Sequence, residues 1–137
     1  MSKYYIPDAE EFFIGFEFEW FMSGKWQQEV YTDGFFKSFE EYTLQGEITE
    51  KEIRVKYLDQ EDIHEIGFKY HDQYRDGGTS VFKKDGLEIV FYGTNRMTPS
   101  HKVIIRDDKS GLFLGNILNK SELKRQINKV QNERSNK

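Results

Sequence analysis

The feature that most constrains this fold is a two-residue alternation of apolar and polar side chains, which recurs along the chain between short turn signals. Residues 14–22, IGFEFEWFM, show it most clearly. In an extended strand Phe16, Phe18 and Trp20 point to one side, and the glutamates between them point to the other. Such a strand buries one face, so we predict that these three side chains begin an aromatic core.

The alternation continues in seven further segments and predicts a mainly antiparallel sheet. Residues 26–32 are predicted to form the second strand of a hairpin with the opening strand, and another strand covers residues 52–59. The predicted strands of the second half are 68–74, 79–84, 87–92, 101–107 and 111–117. Asp85 and Gly86 form the clearest hairpin signal, because both residues tolerate a positive φ.

Three pairs of capping residues predict helices, because a polar side chain placed three residues before an acidic one can satisfy the first backbone N–H groups of a helix. The predicted helices cover residues 39–45, residues 60–66 and a C-terminal segment that follows Asn119. In the last of these, apolar residues recur at i, i+4 and i+7, so we expect that stripe to pack on the sheet. The stripe consists of Leu123, Ile127 and Val130.

The segments together predict an α+β fold with one mainly antiparallel sheet, twisted or half-barrelled, of six to eight strands. Two or three short helices, one of them C-terminal, complete it. A chain of 137 residues can bury roughly two thirds of its unfolded surface, so it needs no disulfides to form a core. We predict a single domain over residues 1–130 and a frayed tail over residues 131–137.

The composition excludes several classes of protein. The chain has no cysteine, which excludes a disulfide scaffold, a thiolate nucleophile and a cysteine-based zinc site. No apolar run approaches the length that spans a membrane, and the first residues lack the apolar stretch of a secretory signal. We therefore expect a cytoplasmic protein with no membrane partner.

The net charge of −4 conceals an uneven distribution. Residues 1–50 carry three basic and eleven acidic side chains, whereas residues 119–137 carry six basic and two acidic ones. A general nucleic-acid binder needs a broad positive face, so this distribution argues against nucleic acid as a partner. It is typical of self-association, of an acidic docking surface or of an unevenly charged solvated exterior. Glu17 and Glu19 are the candidate acidic surface residues.

Four longer segments carry a recognisable pattern when they are taken in order: YYIPDAEEFFIGFEFEWF, WQQEVYT, IRVKYLDQEDIHEIGFKY and GNILNKSELKRQINKV. Together they resemble a group of small, uncharacterised proteins of gut Bacteroides-type bacteria and their phages. The resemblance spans most of the chain and implies a phage or mobile-element origin. It implies no activity and no catalytic residue. Residues 72–98 depart from the pattern of the group.

Glu17 and Glu19 are the one carboxylate pair that the strand pattern places on a single face. Their Cα atoms would lie about 6.6 Å apart, within the range of catalytic carboxylate pairs in glycosidases. Acid–base catalysis requires that one carboxylate be desolvated, and their neighbours on this face, Gly15 and Phe21, provide no such environment. We therefore interpret the pair as the polar side of a sheet.

Motifs for metal binding and for catalysis are missing from the sequence. The histidines, His64, His71 and His101, lack the spacings that place two imidazoles on one element. No phosphate-binding loop, nucleophile elbow or dinucleotide fingerprint occurs. We predict no metal, no cofactor and no enzymatic activity.

Cationic and aromatic residues around two of the predicted strands form the candidate binding site. If the strands are neighbours, Arg54, Lys56 and Lys69 share one face with a histidine, and further candidates lie in nearby loops. Such a patch suits a phosphate-bearing ligand or an acidic protein surface. It is also typical of outward lysines and arginines that protect sheet edges from aggregation. The candidates are Arg54, Lys56, Lys69, His71, Tyr74, Arg75 and Arg96.

These observations favour a small non-catalytic accessory protein of phage type. It would bind a host or phage macromolecule, for example as an inhibitor of host machinery or defence, or it would bind a nucleotide-like signal. One alternative is a structural component of the virion or of its assembly that forms homo-oligomers. A second alternative is a hydrolase with a novel site that contains Glu17 and Glu19.

Overall fold

The computed structural model describes residues 3–32, 53–73, 79–92, 101–107 and 109–135. The described residues form nine strands and two α-helices, which confirms the predicted α+β class. The strands are β1 (Tyr4–Tyr5), β2 (Glu17–Met22), β3 (Lys25–Val30), β4 (Ile53–Lys56), β5 (Lys69–Gln73), β6 (Ser80–Lys84), β7 (Leu87–Phe91), β8 (Lys102–Arg106) and β9 (Gly111–Asn116). The helices are α1 (Gln60–Glu65) and α2 (Lys120–Ser135).

The strands belong to two antiparallel sheets, whereas the sequence pattern predicted one sheet of six to eight strands. The additional strand is β1, which has two residues and is therefore too short to show an alternation. The chain divides into two compact units, Met1–Tyr57 and Leu58–Lys137. The assignment of residues 1–130 to one domain stays a prediction, and the helix predicted over residues 39–45 lies outside the described residues.

The first unit contains a four-stranded sheet in the order β1-β4-β2-β3. Strands β2 and β3 form the predicted hairpin around a two-residue turn, in which Ser23 and Gly24 have φ values of +54° and +80°. The strand predicted from Ile14 begins only at Glu17. Ile14 and Gly15 form a turn instead, and the positive φ of Gly15 is incompatible with an extended strand.

An aromatic cluster forms the core of this unit, on one face of the sheet. Phe16, Phe18 and Tyr31 are buried together with two residues of β4, Ile53 and Val55. Trp20 is only partly buried against this cluster. The predicted aromatic start of the core is therefore confirmed for the two phenylalanines and holds in part for the tryptophan.

The second unit contains a five-stranded meander in the order β5-β6-β7-β8-β9. These are the five strands predicted for the second half of the chain. Asp85 and Gly86 form the turn between β6 and β7 with φ values of +50° and +81°, as the hairpin signal indicated. The register shifts once between β5 and β6 and once between β8 and β9.

The helices of the second unit share a buried cluster with its sheet. Leu123, Ile127 and Val130 of α2 belong to the same cluster as Ile89 and Ile105 of the central strands, which confirms that the helix packs on the sheet. Ile63 of α1 belongs to it as well. Within the described residues, no helix has both the length and the apolar character needed to cross a membrane.

Both helices of the second unit begin with a predicted cap. At α1 the Asp59 carboxylate accepts a hydrogen bond from the Asp62 N–H at 3.0 Å, and the Asp62 carboxylate accepts one from the Asp59 N–H at 3.3 Å. At α2 the Asn119 side-chain oxygen accepts a hydrogen bond from the Glu122 N–H at 2.8 Å. These local contacts satisfy N–H groups that the first turn of a helix leaves open.

Candidate functional site

Four of the predicted site residues lie on one face of the four-stranded sheet. Glu19 of β2 is the cross-strand partner of Arg54 of β4, and Glu17 and Lys56 lie two residues further along the same strands. Cross-strand partners point to the same side of a sheet, so all four side chains share the face opposite the aromatic core. We call this surface the charged face. Its residues are Tyr4, Glu17, Glu19, Phe21, Trp26, Gln28, Val30, Arg54 and Lys56.

Arg54 connects all four strands of this sheet. Its Nη2 donates a hydrogen bond to Glu19 Oε1 on β2 at 3.1 Å. Its guanidinium carbon lies 3.8 Å from the ring centroid of Tyr4 on β1 and 4.1 Å from that of Trp26 on β3. Distances of this kind are typical of cation–π contacts. Arg54 is therefore held in one position and in turn fixes the two rings.

A second nitrogen of this group, the Arg54 Nε, has a different environment. It is buried and has no hydrogen-bond partner among the described residues. Because Nη2 is bonded to Glu19 and Nε is buried, the fork that these two nitrogens form is not open to a phosphate. The geometry assigns Arg54 the role of ordering the charged face.

Apolar side chains are exposed on the same face. Phe21 is 40% exposed and Val30 is 45% exposed. The Phe21 ring packs edge-on against the Trp26 ring, with 5.3 Å between their centroids. The contact between Trp26 and Arg54 connects this apolar group to the ion pair. The charged face therefore combines ordered aromatic surface with charges of both signs.

The two glutamates of the opening alternation have different surroundings. Glu19 accepts the hydrogen bond from Arg54, and its side chain is 21% exposed. Glu17 lies opposite Val30 near the end of the hairpin. Glu19 thus serves in an ion pair within the sheet.

The other candidate residues do not lie on this sheet. Lys69 and His71 belong to β5, where every residue is exposed, and the register shift of this strand falls at His71. Strand β5 pairs with β6, whereas Arg54 and Lys56 lie on β4 between β1 and β2. The predicted patch was conditional on these two strands being neighbours, and they are in different sheets. A patch that unites these residues stays a prediction. Three more candidates, Tyr74, Arg75 and Arg96, lie outside the described residues.

The second unit contains a cleft that the sequence pattern did not predict. It has a volume of about 510 Å³ and lies at the β6–β7 hairpin beside the end of β8. Within it the Glu88 carboxylate forms ion pairs with Arg106 and, at 3.7 Å, with Lys83. Its lining residues are Lys83, Lys84, Asp85, Gly86, Leu87, Glu88, Arg106 and Asp107. The Asp85-Gly86 signal predicted the hairpin, but no sequence signal joins Glu88 to a residue eighteen positions later.

Lys84 lines this cleft, but its ammonium group is bonded to the backbone of α1. Its ammonium group donates a hydrogen bond to the Ile66 carbonyl at 3.2 Å, at the C-terminal end of α1. A cation at this position is favourable because the last carbonyls of a helix carry partial negative charge. Lys83 and Arg106 are therefore the cations that face Glu88 in the cleft.

Comparisons with known proteins identified no relative of this chain. No protein-family model, no curated protein and no solved structure matches the chain. Among the described residues, no group of three or more histidine and acidic side chains is placed to hold a metal ion. Among the described residues, the charged face and the cleft are therefore the candidate binding sites.

Proposed function

We propose that this chain is a small, non-catalytic accessory protein of phage type that binds a protein partner through the charged face. The observation that carries the proposal is the group of Phe21, Trp26 and Arg54, in which an exposed aromatic ring lies beside a tryptophan that an arginine holds in place. The few residues that carry most of the binding energy in protein interfaces are enriched in tryptophan and arginine, and interface cores are enriched in phenylalanine as well.

The contacts that hold the side chains of the charged face in place also support a role in binding. Binding is weakened by the entropy lost when side chains are immobilised, and this loss is smaller where they are already held in place. Arg54 contacts Glu19, Tyr4 and Trp26 before any partner arrives. A partner that docks on Phe21 and Val30 would therefore meet a largely prearranged surface.

The phage-type character of the proposal rests on the resemblance of four ordered segments to proteins of gut Bacteroides-type bacteria and their phages. On that basis the partner is a host or phage protein in the host cytoplasm, and interference with host machinery or defence is the expected consequence. The mixed charges of the face suit a partner surface that also carries both signs.

The test is capture of a partner from host lysate by the full chain, followed by titration with the purified partner. Phe21→Ser should weaken the measured affinity by roughly thirtyfold, the effect of losing an interface residue worth about 2 kcal/mol. Leu114→Ser is the matched control, because Leu114 is an apolar residue of β9 that is 66% exposed and lies off the charged face. Thermal unfolding of both variants verifies that they are folded.

The proposal fails if the parent chain captures no protein, or if the Phe21 and Leu114 variants bind the partner equally well. It also fails if affinity depends only on Leu114. Each result is independent of the stability of the variants, because binding is compared among chains shown to be folded.

A second candidate function is binding of a nucleotide-like phosphate ligand in the cleft of the second unit. It is favoured by Lys83 and Arg106, which converge on Glu88 in a cleft of about 510 Å³. A phosphate would compete with Glu88 for these cations. Thermal-shift measurements with a panel of nucleotides test it. Stabilisation that Lys83→Ala removes and Lys109→Ala retains would support it, whereas no stabilisation by any nucleotide would exclude it for that panel.

A further inference from the structure

Strand β3 is the longest regular sheet edge in the described part of the chain. Its six residues pair with β2 without any shift of register. Of the other edge strands, β1 has two residues, and β5 and β9 each contain an irregularity that interrupts the ladder. Irregularities of this kind and very short edges hinder pairing with another chain. Strand β3 has neither form of protection.

The backbone of β3 is oriented for such pairing. The Tyr31 N–H donates to the Phe16 carbonyl at 2.9 Å, and the Tyr31 carbonyl accepts from the Gly15 N–H at 2.8 Å. Hydrogen-bonding directions alternate along a strand, so the odd-numbered residues of β3 bond toward β2. The N–H and C=O groups of Trp26, Gln28 and Val30 point to the opposite side, where no described strand lies.

We propose that β3 pairs antiparallel with β3 of a second copy of this chain, with the two-fold axis at Gln27. The strand reads KWQQEV, and Lys25 and Glu29 lie at equal distances from Gln27. In this register Lys25 of each copy lies opposite Glu29 of the other. The result is two identical ion pairs across the interface, as two-fold symmetry requires.

The alternation of hydrogen bonds is compatible with this register. Gln27 would face Gln27 of the second copy as a non-hydrogen-bonded pair, because its backbone groups point toward β2. Trp26 and Gln28 of opposite copies would exchange backbone hydrogen bonds. Lys25 and Glu29 would again form non-hydrogen-bonded pairs, in which opposing side chains approach most closely.

The neighbouring registers lack this complementarity. With the axis at Gln28, Lys25 would lie opposite Tyr31 and Glu29 opposite Gln27. With the axis at Trp26, Lys25 would lie opposite Gln27. Opposite charges on facing strands favour pairing, so the charge pattern selects the axis at Gln27.

The dimer would join two four-stranded sheets into one continuous sheet. It would also bring the Phe21–Trp26 group of one copy next to Gln28 of the other on the charged face. The inference does not rest on the proposed function, because β3 pairing uses the strand edge and needs no other partner.

Sedimentation velocity of the full chain over a dilution series tests the dimer, with charge reversal to test its register. Lys25→Glu should weaken dimerisation by roughly tenfold or more, because two attractive pairs become repulsive. Glu29→Lys should do the same. The double variant Lys25→Glu/Glu29→Lys should restore dimerisation to near the parent value, since each pair is again complementary.

Several results would overturn the proposal. A parent chain that is monomeric at every concentration excludes it, as does dimerisation that neither single reversal weakens. Failure of the double variant to recover, while it stays folded by thermal unfolding, excludes the register with its axis at Gln27.

A cysteine cross-link provides a second test that does not depend on charge. The chain has no native cysteine, so Gln27→Cys introduces a single thiol. At the two-fold axis the two Cα atoms would be about 4.5 Å apart, within the range of disulfides. Mild oxidation should yield a disulfide-linked dimer. Leu114→Cys places the thiol on edge strand β9 as the control, and equal cross-linking of both variants would overturn the proposal.

Discussion

Arg54 Nη2 donates a hydrogen bond to Glu19 Oε1 at 3.1 Å, between residues that are thirty-five positions apart in the chain. The sequence analysis placed Glu19 on an acidic surface and Arg54 in a separate cationic patch. In the structure the two residues form one ion pair. Together with the rings of Tyr4 and Trp26 it orders the charged face. Substitution of Arg54 therefore tests how much these contacts stabilise the sheet.

Arg54→Met should lower the free energy of unfolding by about 1–2 kcal/mol, because it removes the bond to Glu19 and both cation–π contacts from a partly exposed site. Arg54→Lys should cost less, since the charge is retained while the flat contact with the rings is lost. Urea unfolding measures both values. Lys69→Met on the exposed strand β5 is the control and should change stability by less than about 0.5 kcal/mol. Equal effects of Arg54→Met and Lys69→Met would contradict the assigned role.

Leu123→Ala should destabilise the chain by about 2–5 kcal/mol, because Leu123 is fully buried and its truncation leaves a cavity beneath α2. Leu114→Ala makes the same chemical change at a residue that is 66% exposed and should cost less than about 0.5 kcal/mol. Denaturant unfolding compares the pair. A small effect at Leu123 would show that α2 does not pack on the five-stranded sheet.

Asn119→Ala should cost about 1 kcal/mol, because the Glu122 N–H at the start of α2 loses its side-chain acceptor. Asn128→Ala replaces an exposed asparagine further along the same helix and should be neutral or slightly stabilising, since alanine has the higher helix propensity. Thermal unfolding distinguishes the two. Similar changes in Tm would argue against a capping role for Asn119.

Gly67→Ala should cost about 1–2 kcal/mol, because Gly67 follows α1 with a φ of +108°, which alanine adopts only with strain. The new Cβ would also lie 2.9 Å from Lys84 Nζ. Gly111→Ala is the matched control, because its Cβ would meet no atom within 4 Å. Adding Lys84→Ala to Gly67→Ala separates the two causes, since backbone strain persists after the close contact is removed.

Much of the local structure could be predicted from the sequence. The five strands of the second unit, the Asp85–Gly86 turn and the caps at Asp59 and Asn119 all occur where their patterns indicated. Each depends on residues within a few positions of one another. The start of β2 was placed too early because the alternation extends through Ile14, and the turn at Gly15 interrupts it.

The arrangement of the strands was harder to predict. The sequence contains eight clear strand segments, but the alternation does not indicate whether they form one sheet or two. The candidate cation cluster required that the strands of Arg54 and Lys69 be neighbours, a condition that the sequence left open, and they belong to different sheets. Pairing joins strands that are distant in the chain, so a local pattern does not specify it.

The extended segments, several turns and helix starts, and the α+β class could therefore all be predicted from local sequence. These properties follow from backbone sterics, side-chain period and short-range hydrogen bonds. Three long-range features depend instead on the folded arrangement. Glu19 pairs with Arg54, the Phe21 and Trp26 rings pack beside this pair, and Glu88 lies between Lys83 and Arg106. Those contacts depend on strand order and register, which the packing of the two cores selects.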